Sequence, residues 1–185
     1  MSHYLALLRG INVGGNNIIK MVDLKVCFEQ MGFTEVKTYI QSGNVIFQSN
    51  EKSIEVLTAK IETTLAKTFN YPGRTVVISA DTLKQVIAQA PKGFGSEKEK
   101  YRYDVIFLRA PMTAQEALKQ VQTRNDVDQA HAGHHALYFS RLIAQATKSY
   151  LPKIIQLPVY QFMTIRNWNT TMKLWGMIGP GNQNT

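Results

Sequence analysis

The apolar residues of this chain change their spacing in a fixed order, and the order occurs twice. A period of two marks strands and a period of 3.6 marks helices. Residues 4–8 read as a strand. Leu24, Cys27, Phe28 and Met31 place a helical stripe on 21–31, and Gly32 stops it. Two short β-prone runs, 36–40 and 45–48, flank the turn residues Gln41-Ser42-Gly43-Asn44. Ile54, Leu57, Ile61, Leu65 and Phe69 share one face of a helix over 54–69, and 75–79 is again a strand. The order β-α-β-β-α-β is the split βαβ, or ferredoxin-like, arrangement. A further helix over 81–89 is expected, with Asp81 as N-cap and Pro91 as stop.

The second pass begins at a strand over 104–108. Thr113-Ala-Gln-Glu116 is a capping box that opens a helix running to 121. Residues 127–131 and 136–140 form a hairpin around Gly133. A helix is expected over 149–157, with Pro152 tolerated in its first turn, then a strand over 160–165. An appended helix over 167–178 is stopped by Gly179-Pro180. Residue identity between the halves is slight, so the duplication rests on element order. The expected fold is α+β, with two ferredoxin-like (βαββαβ) subdomains, each with an appended helix. They occupy 1–90 and 103–179. Residues 91–102, rich in Gly, Lys and Glu, read as a linker, and 180–185 as a tail.

Hydrophobic content of 44% and charged content of 18% are those of a soluble globular protein. Apolar runs stop at about eight residues, against roughly 20 for a membrane-spanning helix, so no membrane partner is expected. The N-terminus has no charged region followed by a cleavage site, and Cys27 is the single cysteine. It falls on an apolar stripe and reads as a core residue. A cytoplasmic protein without disulfides follows. His131-x-x-His134-His135 lies on the expected hairpin, without the helical spacing of a zinc-protease motif. No metal and no cofactor are expected.

Charge is uneven. The net charge is +8. Residues 1–90 hold nine Lys/Arg and seven Asp/Glu, whereas 91–185 hold twelve and six. After Asp128 no acidic residue follows, but Arg141, Lys148, Lys153, Arg166 and Lys173 do. Such a field favours anionic partners.

Three polar stretches are candidates for chemistry. The loop Arg9-Gly10-Ile11-Asn12-Val13-Gly14-Gly15-Asn16-Asn17 sits between a strand and a helix. Gly10 and Gly15 have phosphate-loop spacing, but Asn16-Asn17 stand where Lys-Ser/Thr is needed, and the dinucleotide G-x-G-x-x-G also fails. Backbone amides at Gly14 and Gly15, with Arg9 and Lys20, could still present positive charge to an anion. The second stretch is the hairpin with Gln41, Ser42 and Asn44. Its serine has no His, Asp or Glu beside it in sequence, so a nucleophilic role lacks its base. The third, Thr164 to Thr171, crosses from strand to helix, with Arg166, Asn167, Asn169 and Thr170 at the junction. Arg166 is suited to bidentate contact with a carboxylate or phosphate. Trp168, Met172 and Trp175 form a helical stripe that reads as packing.

Leu7-Leu8-Arg9-Gly10-Ile11-Asn12-Val13-Gly14-Gly15, Thr38-Tyr39-Ile40-Gln41-Ser42-Gly43-Asn44-Val45 and Thr164-Ile165-Arg166-Asn167-Trp168-Asn169-Thr170 together resemble the bacterial domain-of-unknown-function family 1697. The resemblance implies an α+β protein of two similar βαββαβ subdomains and leaves the activity open. Many members carry a lysine after the Gly-Gly pair, where Asn16 stands here. The three motifs are expected to line one polar site that binds an anionic ligand, either nucleic acid or a phosphorylated small molecule. The alternative is an enzyme acting on a small carboxylated or phosphorylated substrate. A third possibility is a partner-binding protein that pairs through exposed sheet edges.

Overall fold

The computed structural model describes residues 1–15 and 17–178. It falls into two compact units, one of Met1–Leu83 with the segment from Leu174, the other of Lys84–Lys173. The expected tail and the Gly179-Pro180 stop lie outside the described residues.

In the first unit the elements are β1 (Ser2–Leu8), α1 (Met21–Gln30), β2 (Thr34–Tyr39), β3 (Asn44–Ser49), α2 (Ile54–Phe69) and β4 (Thr75–Ser79). The sheet order is β2-β3-β1-β4, with every neighbouring pair antiparallel. That is the ferredoxin-like order. Tyr4, Ala6 and Leu8 project from one face of β1 into a core with Leu24, Cys27 and Phe28 of α1 and Leu57, Ile61 and Leu65 of α2. Leu5 and Leu7, on the other face, are equally buried, so neither face of β1 meets water. α2 starts where the Ser53 hydroxyl accepts from the Val56 amide at 3.2 Å, and ends at Asn70 in the left-handed region.

α3 (Ala80–Ala88) follows β4. Its cap is Ser79, whose hydroxyl accepts from the Thr82 amide at 3.1 Å. Asp81, expected to cap it, lies inside the first turn. The division between the units falls within this helix.

The second unit repeats the plan with β5 (Tyr101–Leu108), α4 (Ala114–Gln120), β6 (Asp128–Ala132), β7 (Ala136–Leu142) and β8 (Met163–Asn167). The order β6-β7-β5-β8 is again antiparallel throughout. The Thr113–Glu116 capping box is formed from both sides. One expectation fails here. In place of an α-helix over 149–157 the chain makes three 3₁₀ segments, Ile143–Lys148, Leu151–Gln156 and Pro158–Phe162. Pro158 has no amide to donate and pushes Leu157 to an extended ψ of 142°, which ends any longer helix. Leu151, Ile154 and Val159 still cover the sheet, packing with Ile106, Phe139 and Ala117. The strand expected over 160–165 accordingly starts late, at Met163. α5 (Trp168–Ile178) completes the chain and straddles the second division.

Candidate functional site

The eight expected site residues of the first unit divide by what their side chains already do. Asn12, at a positive φ of 53°, has its amide fully engaged. Its Oδ1 accepts from the Ile19 amide at 2.8 Å, and its Nδ2 donates to the carbonyls of Ile19 and Gln41, both at 2.9 Å. Asn44 is buried, and its Nδ2 donates to the Tyr39 carbonyl and the Ser42 hydroxyl, both at 3.0 Å. Asn17 donates to the Gly10 carbonyl. The Leu8 amide donates to the Gly43 carbonyl at 2.8 Å. A Cβ on Gly43 would come within 2.7 Å of Ile11 Cδ1, so the hairpin rests directly on the loop. The loop and hairpin thus form one body. Their amide richness goes into bonding that body together. Arg9 is anchored through its backbone, whose amide and carbonyl both bond to the Tyr71 hydroxyl. Gly14, Gly15, Lys20 and Gln41 are exposed.

Arg166, Asn167, Asn169 and Thr170 belong to the second unit, at the turn from β8 into α5. Asn167 Nδ2 donates to the Tyr103 carbonyl of β5 at 3.1 Å, while its Oδ1 caps α5 by accepting from the Asn169 amide at 2.9 Å. Arg166 is buried and donates from Nη1 to its neighbour's carbonyl, that of Ile165. Asn169 is exposed and Thr170 half-buried.

Asn167 and Asn169 border a cleft of about 310 Å³. Its other walls carry Lys98, Arg102, Tyr101, Tyr103, Trp168 and Ile143. No acid is found among the described residues that line it, and neither Lys98 nor Arg102 forms a salt bridge among them. Trp168 is fixed from behind. Phe94 meets its indole edge-on at 5.2 Å and also packs against Tyr103 and Tyr138. Residues 91–102, expected to be a linker, therefore hold an aromatic anchor and one wall of the cleft. Tyr138 donates to the Val86 carbonyl, and burial pushes its hydroxyl up to about 12.

Tyr101 and Tyr103 also border a second cleft of about 330 Å³, with Lys92, Glu97, Gln129, His131 and Ser140 among its lining. His131 is on β6, and His134 and His135 stand exposed in the turn beyond it. Burial raises the Asp104 carboxyl above the ordinary value, opposed by Arg141 at 3.6 Å and by Arg102. Asp104 lines neither cleft; it shares a face of β5 with Arg102, opposite Tyr101 and Tyr103, and Arg102, exposed near the start of the strand, still borders the first cleft.

The family described as "Protein of unknown function (DUF1697)" matches residues 1–138. The chain belongs to this family. Among solved structures, this DUF1697 chain is similar to that described as "The structure of conserved bacterial protein SP0830 from Streptococcus pneumoniae". The identity is 25% and the TM-score 0.83, over 96% of this chain and 98% of that one. No curated protein matches. The span of the DUF1697 match includes the first two polar motifs, half of the residues lining the first cleft and all but Ser140 of those lining the second, and ends before the Thr164–Thr170 stretch.

Residue spacing in this DUF1697 chain does not single out Lys98, Tyr101 or Arg102. They sit where a loop runs into an edge of alternating strand, and only the fold brings them beside Asn167 and Asn169. Their one sequence signal is the basic-aromatic run Lys98 to Tyr103, interrupted by Glu99.

Proposed function

We propose that this protein binds a phosphate-bearing ligand that also carries a flat ring, in the cleft at the start of α5. One observation carries the reading. Among the described residues, Lys98 and Arg102 form no salt bridge, and they share with Tyr101, Tyr103 and Trp168 a cleft whose described lining carries no acid. Arg provides bidentate contact to phosphate, and Lys a point charge. Aromatic faces offer stacking and apolar area. The volume of about 310 Å³ is at the lower end for small-molecule sites, which suits a nucleotide-sized group. The charge excess of residues 91–185 adds a field of the same sign. The loop of the first unit is assigned a structural role, because Asn12 spends its amide on backbone groups and Asn44 on the Tyr39 carbonyl and the Ser42 hydroxyl.

Trp168 provides the test. In a Trp175→Phe background it is the sole tryptophan. A nucleoside monophosphate should change its emission saturably, and more tightly than either the nucleoside or inorganic phosphate. Arg102→Ala should raise Kd about tenfold, the loss of about 1.4 kcal/mol. No saturable response to any of the three probes would overturn the proposal.

A further inference from the structure

The two clefts of the second unit share a wall, Tyr101 and Tyr103, but not a character. The first brings two cations and no acid among its described lining residues. The second balances Lys92 against Glu97 and adds an amide and a hydroxyl, Gln129 and Ser140, with His131 beside them. Ser140 and Gln129 are register partners on β7 and β6, and Tyr103 is the register partner of Ser140 on β5. These three side chains therefore stand in one row across the same face of the sheet. Ser140 is buried and Gln129 exposed, so the row runs from the floor of the cleft to its rim.

We infer that the paired clefts take two successive nucleotides of a single strand, a deepening that rests on the phosphate-and-ring reading. The linking phosphate lies on Arg102 and the next phosphate of the strand on Lys98. One base packs on Trp168 and Ile143, and the next crosses the Tyr101–Tyr103 wall to the Gln129–Ser140 row. Each cleft, at about 310 and 330 Å³, accommodates one nucleotide-sized group. Charge concentrated on one side and neutral donors and acceptors on the other match a chain whose phosphate and base edge face different walls. A four-stranded sheet with aromatic residues on its central strands is a general platform for unpaired bases. Here the middle of the face is closed, because Phe94 packs on Tyr103 and Tyr138, and Tyr138 bonds to the Val86 carbonyl. The strand must therefore pass at the end of β5, where Tyr101 is half-exposed. Paired bases cannot splay into two clefts, so a duplex is excluded.

The experiment titrates the Trp175→Phe protein with adenosine monophosphate, the 5′-phosphorylated adenosine dinucleotide and a blunt-ended duplex long enough to stay paired. The dinucleotide should bind at least tenfold tighter than the mononucleotide, and the duplex no tighter than the mononucleotide. The double variant Lys92→Ala, Gln129→Ala should abolish the dinucleotide's advantage and leave mononucleotide affinity unchanged, which also shows that the variant is folded. Equal affinity for mono- and dinucleotide, an advantage that survives the double variant, or tight duplex binding overturns the two-nucleotide inference and leaves the single-cleft reading standing. Absence of binding by every probe overturns both.

Discussion

The backbone of Gly95 lies against the indole of Trp168. A Cβ built on Gly95 would come within 2.4 Å of both Cδ1 and Nε1, at a φ of +85°. Gly93, two residues earlier, has a similar φ of +80°, but the nearest atom to its Cβ would be Ser96 Oγ at 3.6 Å. The pair separates backbone strain from crowding. Gly93→Ala should cost about 1–2 kcal/mol, for an L-residue in the left-handed region. Gly95→Ala should cost about 1–3 kcal/mol more, because the indole must move. Denaturant unfolding of both variants measures the difference.

Asn12 is the staple of the first loop. It makes three hydrogen bonds to backbone groups of Ile19 and Gln41. Asn12→Ala should lose about 2–3 kcal/mol. Asn12→Asp keeps the acceptor for the Ile19 amide but turns a carboxylate toward two carbonyls, so it should be no more stable than the alanine variant. A near-neutral Asn12→Asp would return this residue to the list of ligand contacts.

Tyr71 ties the end of β1 to the segment after α2. Its hydroxyl accepts from the Arg9 amide at 3.0 Å and donates to the Arg9 carbonyl, and the ring is buried. Tyr71→Phe removes only the hydroxyl and leaves polar backbone groups of Arg9 to find other partners. A loss of about 1–3 kcal/mol is expected by thermal or denaturant unfolding.

Asp104 predicts a pH dependence. Burial raises its folded-state value above the ordinary 3.8, with Arg141 and Arg102 opposing. The native chain therefore holds more protons than the unfolded chain between 3.8 and the folded value. Its contribution favours the fold at low pH and is lost as pH rises through the folded value. Asp104→Asn removes this titration. The stability of the wild type minus that of the variant should fall as pH rises through that window and level off above it. A difference that rises with pH would mean that the Arg141 pairing outweighs burial.

The strand and helix order was legible because each unit alternates cleanly between two apolar periods. Ile54–Phe69 and Thr75–Ser79 fall where the spacing places them. The segment after β7 was not legible in the same way. Leu151, Ile154 and Val159 carry helical spacing, yet Pro158 fixes the backbone as 3₁₀ turns, so the right residues are buried by a different element. At the candidate site, the polar junction Asn167–Asn169 was readable, but its neighbours were not. Lys98 and Arg102 join it only because Phe94 pins the 91–97 turns onto Tyr103 and Trp168. Asn12 and Asn44 stood out for a ligand in sequence, because an amide that bonds to distant backbone looks the same as one awaiting a partner.

The salt dependence of oligonucleotide binding counts the phosphates that Lys98 and Arg102 hold. With Lys98 and Arg102 neutralising about two phosphates, log of the binding constant should fall against log of salt concentration with a slope near about −1.4. Arg102→Ala should weaken binding and bring that slope toward about −0.7. A slope that Arg102→Ala leaves unchanged would place the phosphate elsewhere and remove Arg102 from the binding site.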